Sequence, residues 1–213
     1  MKRLLVIDDH AIVRQGFIRI VEEMQDYVLI IDEAGSEQEA LLLAEGTEYD
    51  LVLLDISLQG RNGIDLLKQL KRLAPKVPVL MLSMYPVEQY AARAIRAGAS
   101  GYITKESAAT ELQSAVRKVL SGGRYLTESV AESLADAIAD ERRKKPADEL
   151  LSDREFQVIC MMASGKTMTE IADTLNLSIK TISTYRNRIL EKLNLRTTGE
   201  IIAYAVSSGL GKN

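Results

Sequence analysis

Tyr49-Asp50-Leu51-Val52-Leu53-Leu54-Asp55 decides the fold: four apolar residues in a row end abruptly on a carboxylate. So short an apolar run between polar residues fits a strand buried on both faces, with Asp55 at its carboxyl end. A single Asp there reads first as a strand-ending turn residue and otherwise as a reactive group, and one residue does not decide between them. Working outward, the same pattern recurs at Leu4-Leu5-Val6-Ile7, which ends on Asp8-Asp9. Further strands are expected at 27–31, at 79–82 ending on Ser83, and at 101–104 ending on Lys105. Between them, helical spacing of apolar residues predicts helices over 11–21, from the Ser36/Glu39 capping box to Gly46, and over 64–73, 88–97 and 110–120. Gly60 and Gly63 are expected to mark a loop. Five strands alternating with five helices predict an α/β fold: a five-stranded parallel doubly wound sheet, flavodoxin-like, in the order 2-1-3-4-5. Its switch point brings Asp8, Asp9 and Asp55 into one crevice, with Ser83 and Lys105 arriving from neighbouring strand ends.

The chain has 213 residues and 46% apolar content, which suits two domains with real cores. Its single cysteine excludes an internal disulfide. No signal-peptide core and no run of membrane-spanning length are visible, so a soluble, cytoplasmic protein without membrane contact is expected. With a net charge of −3, any contact with nucleic acid must come from a local patch.

Crowded carboxylates at neutral pH call for a cation or for raised pKa values. Oxygen ligands suit Mg²⁺, and the only histidine, His10, is a weak basis for a transition-metal site. A divalent cation beside an aspartate and a lysine points to phosphoryl transfer, with Asp55 as nucleophile, Lys105 neutralising charge and Ser83 donating to a phosphoryl oxygen. On these residues and the aromatic Tyr102, residues 1–121 resemble the receiver domain of two-component response regulators. The resemblance implies that Asp55 accepts a phosphoryl group from a sensor histidine kinase. It further implies that Asp9, Asp55 and the backbone carbonyl of Ser57 hold Mg²⁺, with Asp8 assisting, and that Ser83 and Tyr102 form a switch pair. The chain departs from the common pattern at Gln59 and Glu106, where many receivers have proline, and at Met84, where many have a small residue.

Residues 127–140 read as an amphipathic helix on Val130, Leu134 and Ile138, followed by a charged run over 141–146 that suits a solvated tether. Beyond Leu151 there are no strand signals. Three more capping boxes (Ser152/Glu155, Thr167/Glu170, Thr197/Glu200) open helices in an all-α segment, with Cys160 as a core residue. Helices over 168–175 and 179–193, joined by a tight turn, read as a helix-turn-helix. On the second, Ile182, Ile189 and Leu193 share the core face, while Lys180, Thr184, Asn187 and Glu191 lie opposite, with Ser183 and Arg188 at the edges. Residues 180–196 hold five basic groups against Glu191 alone, which suits a helix in the major groove. The stretches 151–155, 171–172, 175–178, 180–183 and 188–193 resemble the LuxR/NarL-type helix-turn-helix. Taken with the patch, the resemblance makes Lys180, Ser183, Thr184, Asn187, Arg188 and Lys192 the candidate contacts to double-stranded DNA.

The expected organisation is a receiver over 1–121, a helical linker over 122–147 and a DNA-binding domain over 148–213. The reading is a phosphorylation-controlled transcription regulator of the NarL/FixJ family that binds promoter sites as a homodimer. The alternative is a module whose second half binds protein. An enzyme acting on a small substrate would need an acid two residues beyond Asp55, and Ser57 stands there.

Overall fold

The computed structural model describes residues 1–58, 61–141, 150–208 and 210, the side chains of 61 and 136–141 excepted. Gln59, Gly60, the basic run 142–146 and the Ile138 side chain lie outside what is described. The chain divides into two compact units, Met1–Ala135 and Asp136–Asn213.

The first unit contains, in chain order, β1 (Lys2–Ile7), α1 (Ala11–Glu22), β2 (Leu29–Ala34), α2 (Glu37–Gly46), β3 (Leu51–Asp55), β4 (Ser57–Leu58), β5 (Arg61–Asn62), α3 (Gly63–Leu73), β6 (Val79–Ser83), α4 (Val87–Arg96), β7 (Gly101–Thr104) and α5 (Ala108–Leu120). Five of the strands form one sheet in the order β2-β1-β3-β6-β7, with every pair parallel. This is the expected 2-1-3-4-5 order once the two-residue strands β4 and β5 are set apart. Alternate residues point to opposite faces. Leu51, Leu53, Leu80 and Leu82 meet Phe17 and Val21 of α1 and Leu112 and Val116 of α5 on one face. Val52, Leu54 and Met81 are equally buried on the other. Cover on both faces is why β3 reads as an unbroken apolar run.

Three local expectations need correction. The second strand does not stop at Ile31 but continues to Ala34 through Asp32 and Glu33. Its charges are met across elements: Arg3 Nε lies 2.8 Å from Asp32 and Arg14 Nε 2.9 Å from Glu33. The loop expected after Asp55 contains a short antiparallel ribbon, β4 with β5, in the register Ser57↔Asn62. Asn62 then caps α3 by accepting from the Ile64 N–H at 2.9 Å. Gly63 opens α3 for a steric reason, because a Cβ there would lie 2.1 Å from the Asp55 carbonyl oxygen. The Ser36 cap is also only half a box: its hydroxyl accepts from the Glu39 N–H, but the Glu39 carboxylate turns to the Gly35 N–H at 2.7 Å.

Beyond α5 the chain stays on the sheet. Tyr125 bridges to Gly101 in parallel fashion and donates its N–H to the Ser100 carbonyl at 2.9 Å. The next helix, α6 (Glu128–Glu141), buries Val130 completely.

The second unit holds α7 (Asp153–Ala163), α8 (Met168–Thr174), α9 (Ile179–Leu193) and α10 (Thr198–Ser207). Full capping boxes open α7 and α8. At α10 the Thr197 hydroxyl accepts from the Glu200 N–H, while the Glu200 carboxylate takes the Arg196 N–H instead. The turn between α8 and α9 passes through Asn176 at φ 51°, and the Leu177 N–H returns to the Ala172 carbonyl at 2.9 Å. Phe156, Ile159, Ile171, Ile182, Ile189, Ile201 and Ala205 are buried, as is Cys160. Ile202 is exposed, so Ile201 and Ala205 serve packing and Ile202 does not.

Candidate functional site

Strand register carries the crevice. Ile7 pairs with Leu54, Asp55 with Leu82 and Ser83 with Thr104, so the residues after these ends open on one side of the sheet. The Lys105 N–H donates to the Ser83 carbonyl at 2.6 Å, which aims the lysine back across the strand ends. Its ammonium sits 2.7 Å from Asp8 Oδ2 and 2.9 Å from Asp55 Oδ2. Asp8 is fixed by the His10 N–H, which donates to Oδ1 at 2.8 Å, and by Arg14, which donates to its carbonyl at 2.5 Å.

Asp8 and Asp55 are fully buried, and the Asp9 side chain is only 5% exposed. Asp9 Oδ1 and both carboxylate oxygens of Asp55 have no well-aligned hydrogen bond among the described residues. Burial pushes the Asp55 carboxyl up to about 6; the Asp8 charge adds to this, while Lys105 and the Ser57 N–H work against it. Burial also works against the Lys105 ammonium, but Asp55 and Asp8 outweigh it and hold the lysine above its ordinary value. Three carboxylates crowd around one ammonium, and buried carboxylate oxygens short of donors are a costly state that a divalent cation relieves. Ligand atoms of Asp8, Asp9, His10 and Asp55 lie within 4.8 Å of one another. The donor set therefore fits a hard cation. His10 was not expected in this group; its place as the residue preceding α1, next to Asp9, was the available signal, and its Nδ1 lies 2.7 Å from Asp9.

Ser83 is fully buried, and its hydroxyl accepts from the Tyr85 N–H at 2.9 Å. The Tyr102 ring points inward, fully buried, and its hydroxyl donates to the Tyr85 carbonyl at 3.0 Å. Burial raises its phenol above the ordinary value. The two expected switch residues thus meet at one main-chain segment. Tyr85, which sequence reasoning did not single out, is that segment, and its ring packs 4.8 Å from Tyr90. Met84, next to Ser83, is 72% exposed.

In the second unit, α9 presents Lys180, Thr184, Asn187 and Arg188 to solvent, with Ser183 half-buried. Ser178, Lys180, Thr181, Thr184, Tyr185 and Arg188 line a shallow cleft on this face. Lys192 differs from the other expected DNA contacts. Its ammonium lies 2.6 Å from the buried carboxylate of Glu155, tying α9 to the start of α7. Burial raises the Glu155 carboxyl, but Lys192 and the Ser152 N–H overcome it and hold the group below the usual range.

Residues 4–117 match the response regulator receiver domain, and residues 149–205 match the bacterial regulatory proteins of the luxR family. The response regulator UvrY of Escherichia coli K12 is 33% identical over 99% of this chain and 96% of its own length. The response regulator GacA of Pseudomonas aeruginosa PAO1 is 33% identical over 99% and 98%. Among solved structures, RcsB from Salmonella enterica serovar Typhimurium, bound to promoter P1flhDC with phosphomimetic BeF3−, superposes with a TM-score of 0.59 at 26% identity, covering 97% of this chain and 98% of that one. No helix among the described residues is long and apolar enough to cross a membrane. The chain belongs to the response regulators of the NarL/FixJ group, DNA-binding transcription regulators in which a receiver domain is joined to a luxR-type helix-turn-helix.

Proposed function

We propose that Asp55 is the phosphoacceptor and that its phosphorylation controls DNA binding by the second unit. A carboxylate oxygen of Asp55 attacks the phosphorus of a phosphohistidine on a sensor kinase; the new P–O bond forms as the P–N bond breaks, and the phosphoryl group stays on Asp55. The observation that carries this reading is the fully buried Asp55 carboxylate, crowded by Asp8 and paired with the Lys105 ammonium at 2.9 Å. Asp8, Asp9, Asp55 and the backbone carbonyl of Ser57 would hold Mg²⁺, which supplies positive charge against the phosphoryl oxygens. Lys105 neutralises a further oxygen, and the Ser83 hydroxyl leaves the Tyr85 N–H to donate to a third. That exchange frees the segment against which Tyr102 is hydrogen-bonded, giving the phosphate a two-state element to bias. The chemistry is confined to Asp55 itself, with no substrate turned over.

Lys180, Arg188 and, at the edge of the patch, Lys192 hold phosphates, while Ser183, Thr184 and Asn187 face base edges. The protein binds promoter DNA in the cytoplasm as a homodimer, with residues 122–147 linking a receiver over 1–121 to a DNA-binding domain over 148–213. The test is binding to genomic fragments with and without acetyl phosphate, with Asp55→Asn as control. Donor-dependent enrichment is expected for the wild type alone. Equal response of the substituted protein refutes Asp55 as acceptor, and absence of any enriched sequence refutes DNA as the output.

A further inference from the structure

Arg186 lies in the recognition helix but is half-buried, and both ends of its guanidinium are engaged. Its Nε donates to the hydroxyl of Thr198, the first residue of α10, at 2.7 Å. Its Nη1 donates to Oδ1 of Asn187 at 3.1 Å. The next side chain along a helix points about 100° away, so this second bond reaches sideways from a guanidinium anchored on another helix to the exposed face. A guanidinium has donors only, so it can face only the oxygen of the amide. The amino end of Asn187, with two donors, is therefore the end left toward solvent. Asparagine usually reads adenine with both amide ends, the oxygen taking the N6 proton and the nitrogen giving one to N7. Here one of the oxygen's two lone pairs already has a donor, and the guanidinium that supplies it stands on the oxygen's side of the amide.

We propose that Arg186 is a positioning residue for sequence reading: by clamping Asn187 Oδ1 from an anchor on Thr198 it turns the amide's donors to the major groove, so that Asn187 selects a base presenting acceptors and rejects cytosine. Guanine offers O6 and N7 and thymine offers O4, whereas the cytosine amino group would meet the amide's own hydrogens. The inference rests on α9 being the recognition helix.

The experiment is selection from random double-stranded DNA by the full-length chain, followed by affinities on single-base variants of the selected site at several salt concentrations. Asn187→Ala identifies the base position concerned, as the one whose preference it erases. At that position the wild type is expected to disfavour cytosine about tenfold, the scale of one good base contact. Arg186→Met and Arg186→Lys are each expected to cut this to less than about threefold, and Thr198→Val to an intermediate value. Arg186→Lys keeps the charge and is expected to leave the salt slope unchanged. If Arg186→Met fails to fold, Arg186→Lys and Thr198→Val, checked by thermal unfolding, decide the matter. The proposal is overturned if the Arg186 variants keep the full discrimination. It is also overturned if they weaken all sequences alike with a salt slope lower by about one, which marks a phosphate contact instead. A wild type that enriches no sequence removes the DNA reading itself, an outcome distinct from the other two.

Discussion

Lys105 and Lys192 make similar short bonds to buried carboxylates, yet their surroundings differ. In the crevice one ammonium serves both Asp8 and Asp55, while Asp9 stands beside them and three carboxylate oxygens lack aligned donors. At the start of α7, Glu155 has Lys192 and the Ser152 N–H for itself, and its cap is complete. Imbalance in a buried place stores unfavourable energy that an arriving cation relieves; balance holds helices together. In the first unit the groups proposed to work are therefore the buried ones. In the second they are the exposed ones, and the buried charges act as braces.

The largest effect is expected where the imbalance is made worse. Lys105→Met leaves buried carboxylates with no counter-charge, and about 3–5 kcal/mol of local stability at neutral pH is at stake. Hydrogen exchange of the β3 amides without added divalent cation measures it, and added Mg²⁺ is expected to recover part of the loss. Gly63→Ala forces a methyl group into the Asp55 carbonyl, at an expected cost of about 3 kcal/mol in urea unfolding of the first unit. This variant disturbs the crevice through shape alone, and so separates packing from charge.

The helical unit is expected to respond less. Lys192→Met leaves Glu155 without its cation, but the lysine is 38% exposed, which limits the cost to about 1–2 kcal/mol. Because the folded state holds the Glu155 carboxyl below its ordinary value, the stability it contributes is present above about pH 4.3 and lost as pH falls through the folded value. The gap in thermal midpoint between wild type and Lys192→Met is thus full at pH 7 and narrows below about pH 4. Smallest is Thr167→Ala, which removes one hydroxyl from the α8 capping box and costs about 1 kcal/mol in thermal unfolding. If Lys192→Met proves as costly as Lys105→Met, the contrast between the two regions fails.

The legible parts of this molecule were those encoded locally. Apolar runs ending on Asp8, Asp55, Ser83 and Lys105 marked the strand ends, and the alternation of strands with helices ordered them. What escaped depends on partners distant in sequence. Asp32 and Glu33 look like the end of a strand until Arg3 and Arg14 are seen beside them. That Lys192 also pairs with Glu155, 37 residues earlier, is likewise invisible from its place on the basic face. The ribbon of Ser57 with Asn62 is too short to leave a periodic trace, and the shifted caps at Ser36 and Thr197 differ from full boxes only in which N–H the glutamate chooses.

The two borders of the sheet carry a consequence for solubility. An open strand border invites another chain to add itself, the first step of sheet-to-sheet aggregation. On the β2 side an incoming strand would meet Asp32 and Glu33, already committed to arginines of the same unit. On the β7 side the N–H of Tyr125 already occupies the Ser100 carbonyl, and its bridge covers Gly101. With one border charged and the other closed at its start, neither offers an incoming strand a clean template.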